Sequence, residues 1–236
     1  MPPKLIITRP KATAQRLADD VQRSLGRDVA CVFSPAYRIA FLPMRHALGL
    51  NDALVFTSAN GVKAAVRAGL KGRRAWCVGD KTALAAHAAG FDAKSASGDV
   101  DDLFQLILND RPTVQLIHVA GEHTRGHLAQ RLSAQGVACT AVIGYTQTLL
   151  PPTDDLVLAA KGSDPLVIPL FSPRAVFIIA GSRLKAPVHV VAMSHAIGEA
   201  ATDLHADTVV IAKAPTYVDM LDQTCRVLTQ LFDRTG

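Results

Sequence analysis

The chain repeats the stretch Phe56-Thr57-Ser58-Ala59-Asn60-Gly61, in altered form, as Leu170-Phe171-Ser172-Pro173-Arg174-Ala175, and Ser172 stands 114 residues after Ser58. The wider segment from Asp52 to Leu103 likewise resembles the segment from Pro165 to Tyr217, with a slip of at most one residue. Within that alignment, Gly79 falls on Met193. Each copy joins an apolar run, a small polar turn and a helical pattern. We therefore predict two half-molecules of similar structure.

A second duplication predicts the topology. The N-terminal Leu5-Ile6-Ile7-Thr8-Arg9-Pro10 resembles Leu116-Ile117-His118-Val119-Ala120-Gly121, and each copy leads into a strand with a tyrosine, Tyr37 or Tyr145. The N-terminal copy stands before the rest of its half-molecule, whereas the second copy stands near the end of its half-molecule. The simplest arrangement is a discontinuous domain of residues 1–36 plus 152–236, with 41–146 inserted as a second domain. Prolines suit linkers, and they mark the crossings near 34–40 and 145–152, as Pro35, Pro43, Pro151 and Pro152.

Short apolar runs alternate with alanine-rich helical patterns along most of the chain. Strands are predicted at 54–56, 76–78, 116–119, 167–168, 188–192 and 209–211. Helices are predicted at 82–89, 101–109, 124–135 and 196–204, with Gly90 and Gly136 at two helix ends. This alternation is typical of α/β domains that are doubly wound, with a parallel sheet between two layers of helices and ligands at the carboxyl ends of the strands.

Composition favours a cytoplasmic globular protein. The net charge of +5 is spread along the chain, and three tyrosines and one tryptophan offer few rings for stacking on bases, so nucleic-acid binding is not indicated. No apolar stretch is long enough to span a bilayer, and we expect no membrane contact. The cysteines, at positions 31, 77, 139 and 225, show no paired spacing and are interpreted as buried thiols.

Small polar turns follow the predicted strands and open the predicted helices. The backbone N–H groups at such turns can bind carboxylates or phosphates. Each turn taken alone is more typical of an ordinary helix cap, but five or more such turns facing one cleft favour a binding site. No turn matches the dinucleotide fingerprint or the P-loop. The candidate ligand-binding residues on these turns are Thr57, Ser58, Asn60, Gly79, Lys81, Thr82, Gly121, Ser172, Pro173 and Ser194.

Five stretches, in this order and at suitable spacing, resemble the uroporphyrinogen-III synthase family: Ile7-Thr8-Arg9-Pro10, Phe56-Thr57-Ser58-Ala59-Asn60-Gly61-Val62, Val78-Gly79-Asp80-Lys81-Thr82-Ala83, Leu132-Ser133-Ala134-Gln135-Gly136-Val137 and Tyr145-Thr146-Gln147-Thr148. The resemblance covers nearly the whole chain. It implies two α/β domains joined by a two-stranded linker. It also implies a cofactor-free reaction, in which the linear tetrapyrrole hydroxymethylbilane is cyclised to uroporphyrinogen III with inversion of the last pyrrole ring and loss of water.

The resemblance also suggests roles for individual residues. The substrate carries eight carboxylates, so we expect the cleft between the domains to bind it through helix N-termini, helped by Arg9, Lys81 and Arg125. Tyr145 is the candidate acid for the leaving hydroxyl; its alternative role is a linker aromatic. The chain departs from the family pattern at Met193-Ser194-His195-Ala196-Ile197, where the family has a Gly-Pro-x-Thr-like turn.

Alternatives to this interpretation remain. His123 and His127 stand four residues apart, but no third metal ligand is evident, so we expect no metal. Asp99, Asp101 and Asp102 suit the first turn of a helix as well as an acid pair. A non-catalytic cytoplasmic two-domain module for small-anion binding or sensing is the main competing function, and a methyltransferase would require a cofactor loop that is not found. We expect a monomer that transiently contacts the enzyme supplying hydroxymethylbilane.

Overall fold

The computed structural model describes residues 1–44, 49, 51–122, 126–182 and 184–234. The backbone separates into two compact units, Met1–Arg38 with Leu149–Gly236 (unit 1) and Ile39–Thr148 (unit 2). In the described part of the chain, no helix has the length and apolarity needed to cross a membrane.

Unit 1 contains a five-stranded sheet with helices on both faces. Its strands lie in the order β11-β10-β9-β1-β2, and all neighbouring strands are parallel. The strands are β1 (Lys4–Ile7), β2 (Ala30–Phe33), β9 (Leu166–Leu170), β10 (Val188–Ala192) and β11 (Thr208–Ile211). The helices are α1 (Lys11–Leu25), α6 (Asp154–Lys161), α7 (Pro173–Ala180), α8 (His195–Ala200), a 3₁₀ turn (Ala201–Leu204) and α9 (Tyr217–Asp233).

Unit 2 repeats this arrangement and adds one strand. Its order is β3-β8-β7-β4-β5-β6, so β6, β5, β4, β7 and β8 correspond to β11, β10, β9, β1 and β2 of unit 1. The strands are β3 (Tyr37–Phe41), β4 (Ala53–Phe56), β5 (Arg74–Cys77), β6 (Asp92–Ser95), β7 (Leu116–Gly121) and β8 (Cys139–Leu149). The helices are α2 (Ala59–Arg67), α3 (Asp80–Ala88), α4 (Val100–Asp110) and α5 (Leu128–Ala134).

Alternating side chains of the central strands build two cores in each unit. In β1, Ile6 packs into one core, which contains α6, α7 and α8, while Leu5 and Ile7 pack into the other, which contains α1 and α9. In β4, Phe56 likewise packs into one core of unit 2 and Val55 into the other. Because a parallel sheet must be covered on both faces, this pattern produces three layers. The predicted doubly wound α/β class is confirmed.

The duplication is present, with one correction to the alignment. Ser58 and Ser172 are both N-caps, as the repeat predicts. Gly79 and Ser194 are also equivalent N-caps, so the alignment of Gly79 with Met193 is wrong by one residue. The strand pairing gives the physical reason: Leu54 pairs with Ala75 and the equivalent Ile168 pairs with Val190, so the connection from β9 to β10 is one residue longer than that from β4 to β5. Val78 and Met193 instead share a role, since each donates its N–H to the last residue of the neighbouring strand.

The two tyrosine-bearing segments differ in structure. Tyr145 lies within the single long strand β8, whereas the equivalent segment of unit 1 breaks after β2, and Tyr37 begins the separate strand β3. Pro35 follows the break and has no N–H to continue a ladder. Residues 36–42 and 144–150 are joined by Leu42 N–H to Gly144 O and Leu150 N–H to Ala36 O bonds, so this pair of segments is antiparallel.

Candidate active site

The candidate residues of unit 2 cluster at the carboxyl ends of β4, β5 and β7. Thr57 and Ser58 follow β4, Gly79 follows β5, and Gly121 ends β7. Tyr145 lies beside Gly121 in the register of β7 and β8, where a bulge shifts the pairing between Ala120 and Gly121. A bulge of this kind redirects a side chain. The parallel sheet therefore brings Tyr145 to the same edge as the polar turns.

Tyr145 and Ser58 are joined by a hydrogen bond. Their hydroxyl oxygens lie 2.9 Å apart, although the residues are 87 positions apart in the chain. Ser58 Oγ also accepts the N–H of Gly61 and so caps α2. The Tyr145 side chain is only 7% exposed. Burial and the bond to Ser58 therefore fix the phenol in one position.

Gly121 determines where the Tyr145 ring can lie. A Cβ at Gly121 would stand 2.8 Å from Cε2 and 2.9 Å from Cζ of Tyr145, closer than carbon atoms tolerate. The carbonyl of Tyr145 also accepts the N–H of Glu122, and the neighbouring Thr146 hydroxyl donates to the Glu122 carboxylate. Gly121 was predicted as a ligand contact, and in the structure it makes space for the tyrosine ring.

The hydroxyl of Thr57 faces His118 rather than standing free. Its Oγ1 lies 3.2 Å from Nε2 of His118, which is 4% exposed. Burial lowers the pKa of His118 to about 4, so the imidazole is neutral near pH 7. A neutral imidazole exchanges one hydrogen bond with a hydroxyl and carries no charge. His118 was not assigned to the site from the sequence, because a lone histidine in an apolar strand gives no motif.

The first turn of α3 already contains a carboxylate. Asp80 accepts hydrogen bonds from Ser95 Oγ at 2.7 Å and Ser97 Oγ at 2.8 Å, and these bonds lower the pKa of its carboxyl. The neighbouring Lys81 is exposed, whereas Thr82 is buried. An ionised Asp80 competes with any external anion for the amino end of α3.

The amino ends of α2 and α7 differ in the N–H groups they leave available. In α2, the N–H groups of Ala59 and Asn60 have no acceptor among the described residues. In α7, Pro173 has no N–H, and the Arg174 N–H donates to Ser172 Oγ. The Ala175 N–H donates to Ser172 O. The amino end of α2 is therefore the better anion site of the two.

Unit 1 has a cationic side chain, Arg9, at the carboxyl ends of its strands. Arg9 follows β1 and is half-buried, with its guanidinium 4.1 Å from the centre of the Phe171 ring and 5.7 Å from that of Tyr217. Ser172, which caps α7, and Ser194, which precedes the six-residue α8, follow neighbouring strands of the same sheet. Phe171 and Tyr217 were not assigned from the sequence, although Phe171 belongs to the repeated stretch itself.

The remaining candidates include residues that the structure does not describe. Arg125, His123 and Thr124 lie outside the described residues. Within the described ranges, no group of His, Cys, Asp and Glu has the arrangement of a metal site.

A cavity of about 310 Å³ is lined by Arg74, Ala75, Trp76, Asp92, Ala93 and Lys94. Because Arg74 and Asp92 begin their strands, this cavity lies away from the carboxyl ends.

Comparison with known proteins places this geometry in a family. The duplicated sheets define a doubly wound α/β protein with polar turns at the carboxyl ends of its strands. Residues 15–222 match the family described as uroporphyrinogen-III synthase HemD. The chain belongs to the uroporphyrinogen-III synthase family.

Two solved structures resemble the chain at low sequence identity. The uroporphyrinogen-III synthetase of Helicobacter pylori 26695 is 13% identical, with a TM-score of 0.68 over 96% of this chain and 100% of that one. The uroporphyrinogen III synthase of the extreme thermophile Thermus thermophilus is 14% identical, with a TM-score of 0.42 over 100% of this chain and 99% of that one. No curated protein matches the chain. The Helicobacter structure supports the fold.

Proposed function

We propose that the chain catalyses the reaction of its family, the cyclisation of hydroxymethylbilane to uroporphyrinogen III with inversion of the last pyrrole ring and loss of water. Membership of the family makes the chain an enzyme of tetrapyrrole and heme biosynthesis, and the reaction class is that of a lyase. The observation that carries the catalytic assignment is the Tyr145 hydroxyl, which is hydrogen-bonded to Ser58 at the carboxyl edge of the unit 2 sheet.

Tyr145 is proposed to assist departure of the substrate hydroxyl. When the Ser58 hydroxyl donates to the Tyr145 oxygen, the Tyr145 O–H is left to donate to the leaving group. The carbon–oxygen bond then breaks and water departs, while ring closure releases one proton, which restores the phenol. A positioned acid typically accelerates such a step by roughly 10²–10⁴-fold. The remaining acceleration comes from holding the flexible chain in a cyclised shape.

The substrate carboxylates are proposed to bind at the carboxyl ends of both sheets. In unit 2 the donors are the N–H groups of Ala59 and Asn60 at the start of α2, together with Lys81 at the start of α3. In unit 1 the donors are Arg9 and the hydroxyl of Ser172. Contacts with Gly79, Thr82, Pro173 and Ser194, and with Arg125 outside the described residues, remain part of the proposal.

The two units are proposed to act as domains that enclose the substrate in the cleft between them. In this proposal, 1–36 with 152–236 and 41–146 move about the crossings near 34–40 and 145–152. We further propose a cytoplasmic monomer that needs no cofactor, binds no nucleic acid and transiently contacts the enzyme that supplies the bilane. Small-angle scattering that showed identical profiles with and without a product-like ligand would contradict the proposed closure.

The test uses hydroxymethylbilane generated enzymatically in the same vessel. The products are oxidised, and the type I and type III isomers are separated. We expect the wild-type protein to form type III, whereas spontaneous cyclisation gives the uninverted type I isomer. Formation of type I alone would contradict the proposal and favour the small-anion binding module.

The Tyr145→Phe variant tests the catalytic assignment. The ring packing is retained and only the hydroxyl is removed, so we expect normal folding and a kcat lower by about ten- to a hundredfold. Full activity with an unchanged isomer ratio would make Tyr145 a structural aromatic and leave positioning as the source of catalysis.

A further inference from the structure

Three elements of unit 1 bring two aromatic rings beside Arg9, and the guanidinium of Arg16 also lies 5.0 Å from the centre of the Tyr217 ring. Arg9 follows β1, Phe171 follows β9, and Tyr217 is the first residue of α9. The guanidinium lies over the Phe171 ring at 4.1 Å and near the Tyr217 ring at 5.7 Å. Both distances are within the range of cation–π attraction. Arg9 is half-buried, and this burial is the main cause that lowers the pKa of its guanidinium below the ordinary value.

The two rings are themselves held in place. They stack with centroids 6.5 Å apart and an interplanar angle of 24°. The Tyr217 hydroxyl donates to Asp20 Oδ2 at 2.7 Å, across α1 and α9. Burial and the Asp20 carboxylate raise the pKa of Tyr217 to about 12, so the phenol keeps its proton. Phe171 and Tyr217 therefore form a fixed aromatic platform.

The cation on this platform has no carboxylate partner among the described residues. Asp20, the nearest acid to the platform, is paired with Arg16 and Arg23 and accepts the Tyr217 hydroxyl. A guanidinium that lies on an aromatic face keeps its N–H donors directed outward in its own plane. Its planar fork matches a carboxylate, which two parallel hydrogen bonds can hold.

We infer that Phe171 and Tyr217 are positioning residues, which hold the Arg9 guanidinium as the carboxylate-binding group of unit 1. This inference rests on the proposed function, because the ligand is one of the substrate's carboxylates. The platform acts on binding and not on bond breaking. Its removal should therefore raise KM and leave kcat nearly unchanged.

The chain contains a matched control for this arrangement. Arg27 lies 3.9 Å from the Phe232 ring, and this pair connects the turn that follows α1 to the last turn of α9. Arg27 is exposed and lies away from the turns that follow the strands. Phe171→Leu and Phe232→Leu therefore remove the same kind of contact from two places in one unit.

The kinetic test compares KM for hydroxymethylbilane among the variants. We expect Phe171→Leu to raise KM about fivefold to tenfold with kcat within about twofold, while Phe171→Tyr, which keeps the ring, stays near wild type. Phe232→Leu should leave both constants unchanged. Equal effects of Phe171→Leu and Phe232→Leu would overturn the inference, as would a loss confined to kcat.

A double-mutant cycle tests whether Phe171 acts through Arg9. Arg9→Gln should raise KM at least as much as Phe171→Leu, and the double variant should be no worse than Arg9→Gln alone. Additive increases in KM would show that Phe171 has another role, and the inference would fail. If Phe171→Leu does not fold, the pair Arg9→Gln and Tyr217→Leu replaces it in the same cycle.

A binding measurement separates this inference from the proposed reaction. Uroporphyrin I, which carries eight carboxylates, is titrated by fluorescence into wild type, Arg9→Gln and Phe171→Leu. We expect the variant to lose about fivefold to tenfold in affinity for uroporphyrin I, whether or not type III isomer is formed. Unchanged affinity of Arg9→Gln and Phe171→Leu would overturn the inference even if the enzyme makes type III.

Discussion

The two halves of the duplication differ at the point where their tyrosines stand. Tyr37 and Tyr145 are equivalent, since each stands six residues after an equivalent cysteine of β2 or β8. Tyr145 packs on Gly121 and bonds to Ser58. The position of Gly121 is taken in unit 1 by Pro10. The Tyr37 hydroxyl forms no hydrogen bond within the described residues.

The same comparison holds for the groups that face an anion. Unit 2 leaves N–H groups at the start of α2, whereas unit 1 has Pro173 at the start of α7. Unit 1 instead has Arg9 at the position that Ala120 takes in unit 2, and it supports that cation with two rings. One scaffold thus presents a phenol with amides in one half and a cation in the other. The chemistry depends on a few residues at the strand ends and not on the fold.

The largest expected difference between the halves concerns acid stability. His118 in β7 occupies the position of Ile7 in β1, and its pKa of about 4 lies below its ordinary value of 6.5 because it is buried. The unfolded chain therefore binds the proton more readily. The stabilisation is complete above pH 6.5 and is lost as the pH falls towards 4, by about 3 kcal/mol in total.

Urea unfolding of wild type and His118→Leu at pH 7 and pH 4 measures this effect. The carboxylates and His189 contribute equally to both proteins, so the difference in pH dependence isolates His118. We expect the wild-type free energy of unfolding to fall by about 3 kcal/mol more than that of the variant. Parallel pH profiles would mean that His118 is protonated without cost in the folded state.

Gly121→Ala should produce the next largest effect. The added Cβ would stand 2.8 Å from the Tyr145 ring, so the ring must move and its hydroxyl must leave Ser58. We expect kcat to fall about a hundredfold and stability to fall by about 1–3 kcal/mol. Gly181→Ala is the control, since its Cβ would meet its nearest neighbour at 3.5 Å. An active Gly121→Ala enzyme would show that the ring position is not critical.

The sequence predicted the scaffold because the central strands are almost wholly apolar, with His118 and His189 as the buried exceptions. All five residues of β9 and of β10 are buried, and such runs are distinctive. The edge strand β6, Asp92–Ser95, was not predicted, because its polar residues resemble a loop. The contact of Ser58 with Tyr145 and that of Arg9 with Phe171 join distant residues, and no local pattern indicates which side chains will meet.

The Ser58→Ala and Ser172→Ala variants compare the two equivalent helix caps. Loss of the cap should cost about 1 kcal/mol of stability in Ser58→Ala and in Ser172→Ala alike. Only Ser58 also bonds to a tyrosine, so we expect kcat to fall about tenfold in Ser58→Ala, whereas Ser172→Ala should mainly raise KM. Thermal unfolding and steady-state kinetics measure the two effects. Similar changes in kcat for both variants would remove the distinction between the caps.

Tyr37→Phe should have the smallest effect. The hydroxyl of Tyr37 has no hydrogen-bond partner among the described residues, and Pro10 replaces the glycine that lets Tyr145 approach its strand. The Tyr37 phenol lies near Arg9 and slightly raises the pKa of the Arg9 guanidinium, but Tyr217 raises that pKa more. We expect kcat and KM to change by less than about twofold, since an exposed or unpaired hydroxyl contributes little.

The same assay of type I and type III isomers compares Tyr37→Phe with Tyr145→Phe. A decrease of about ten- to a hundredfold in kcat for Tyr145→Phe alone would show that the proton donor lies in unit 2. An equal decrease in Tyr37→Phe would mean that the two tyrosines share the role, and the division of tasks between the halves would be wrong. Both substitutions keep the aromatic ring and remove only the hydroxyl oxygen, and they do so at equivalent positions of the two halves.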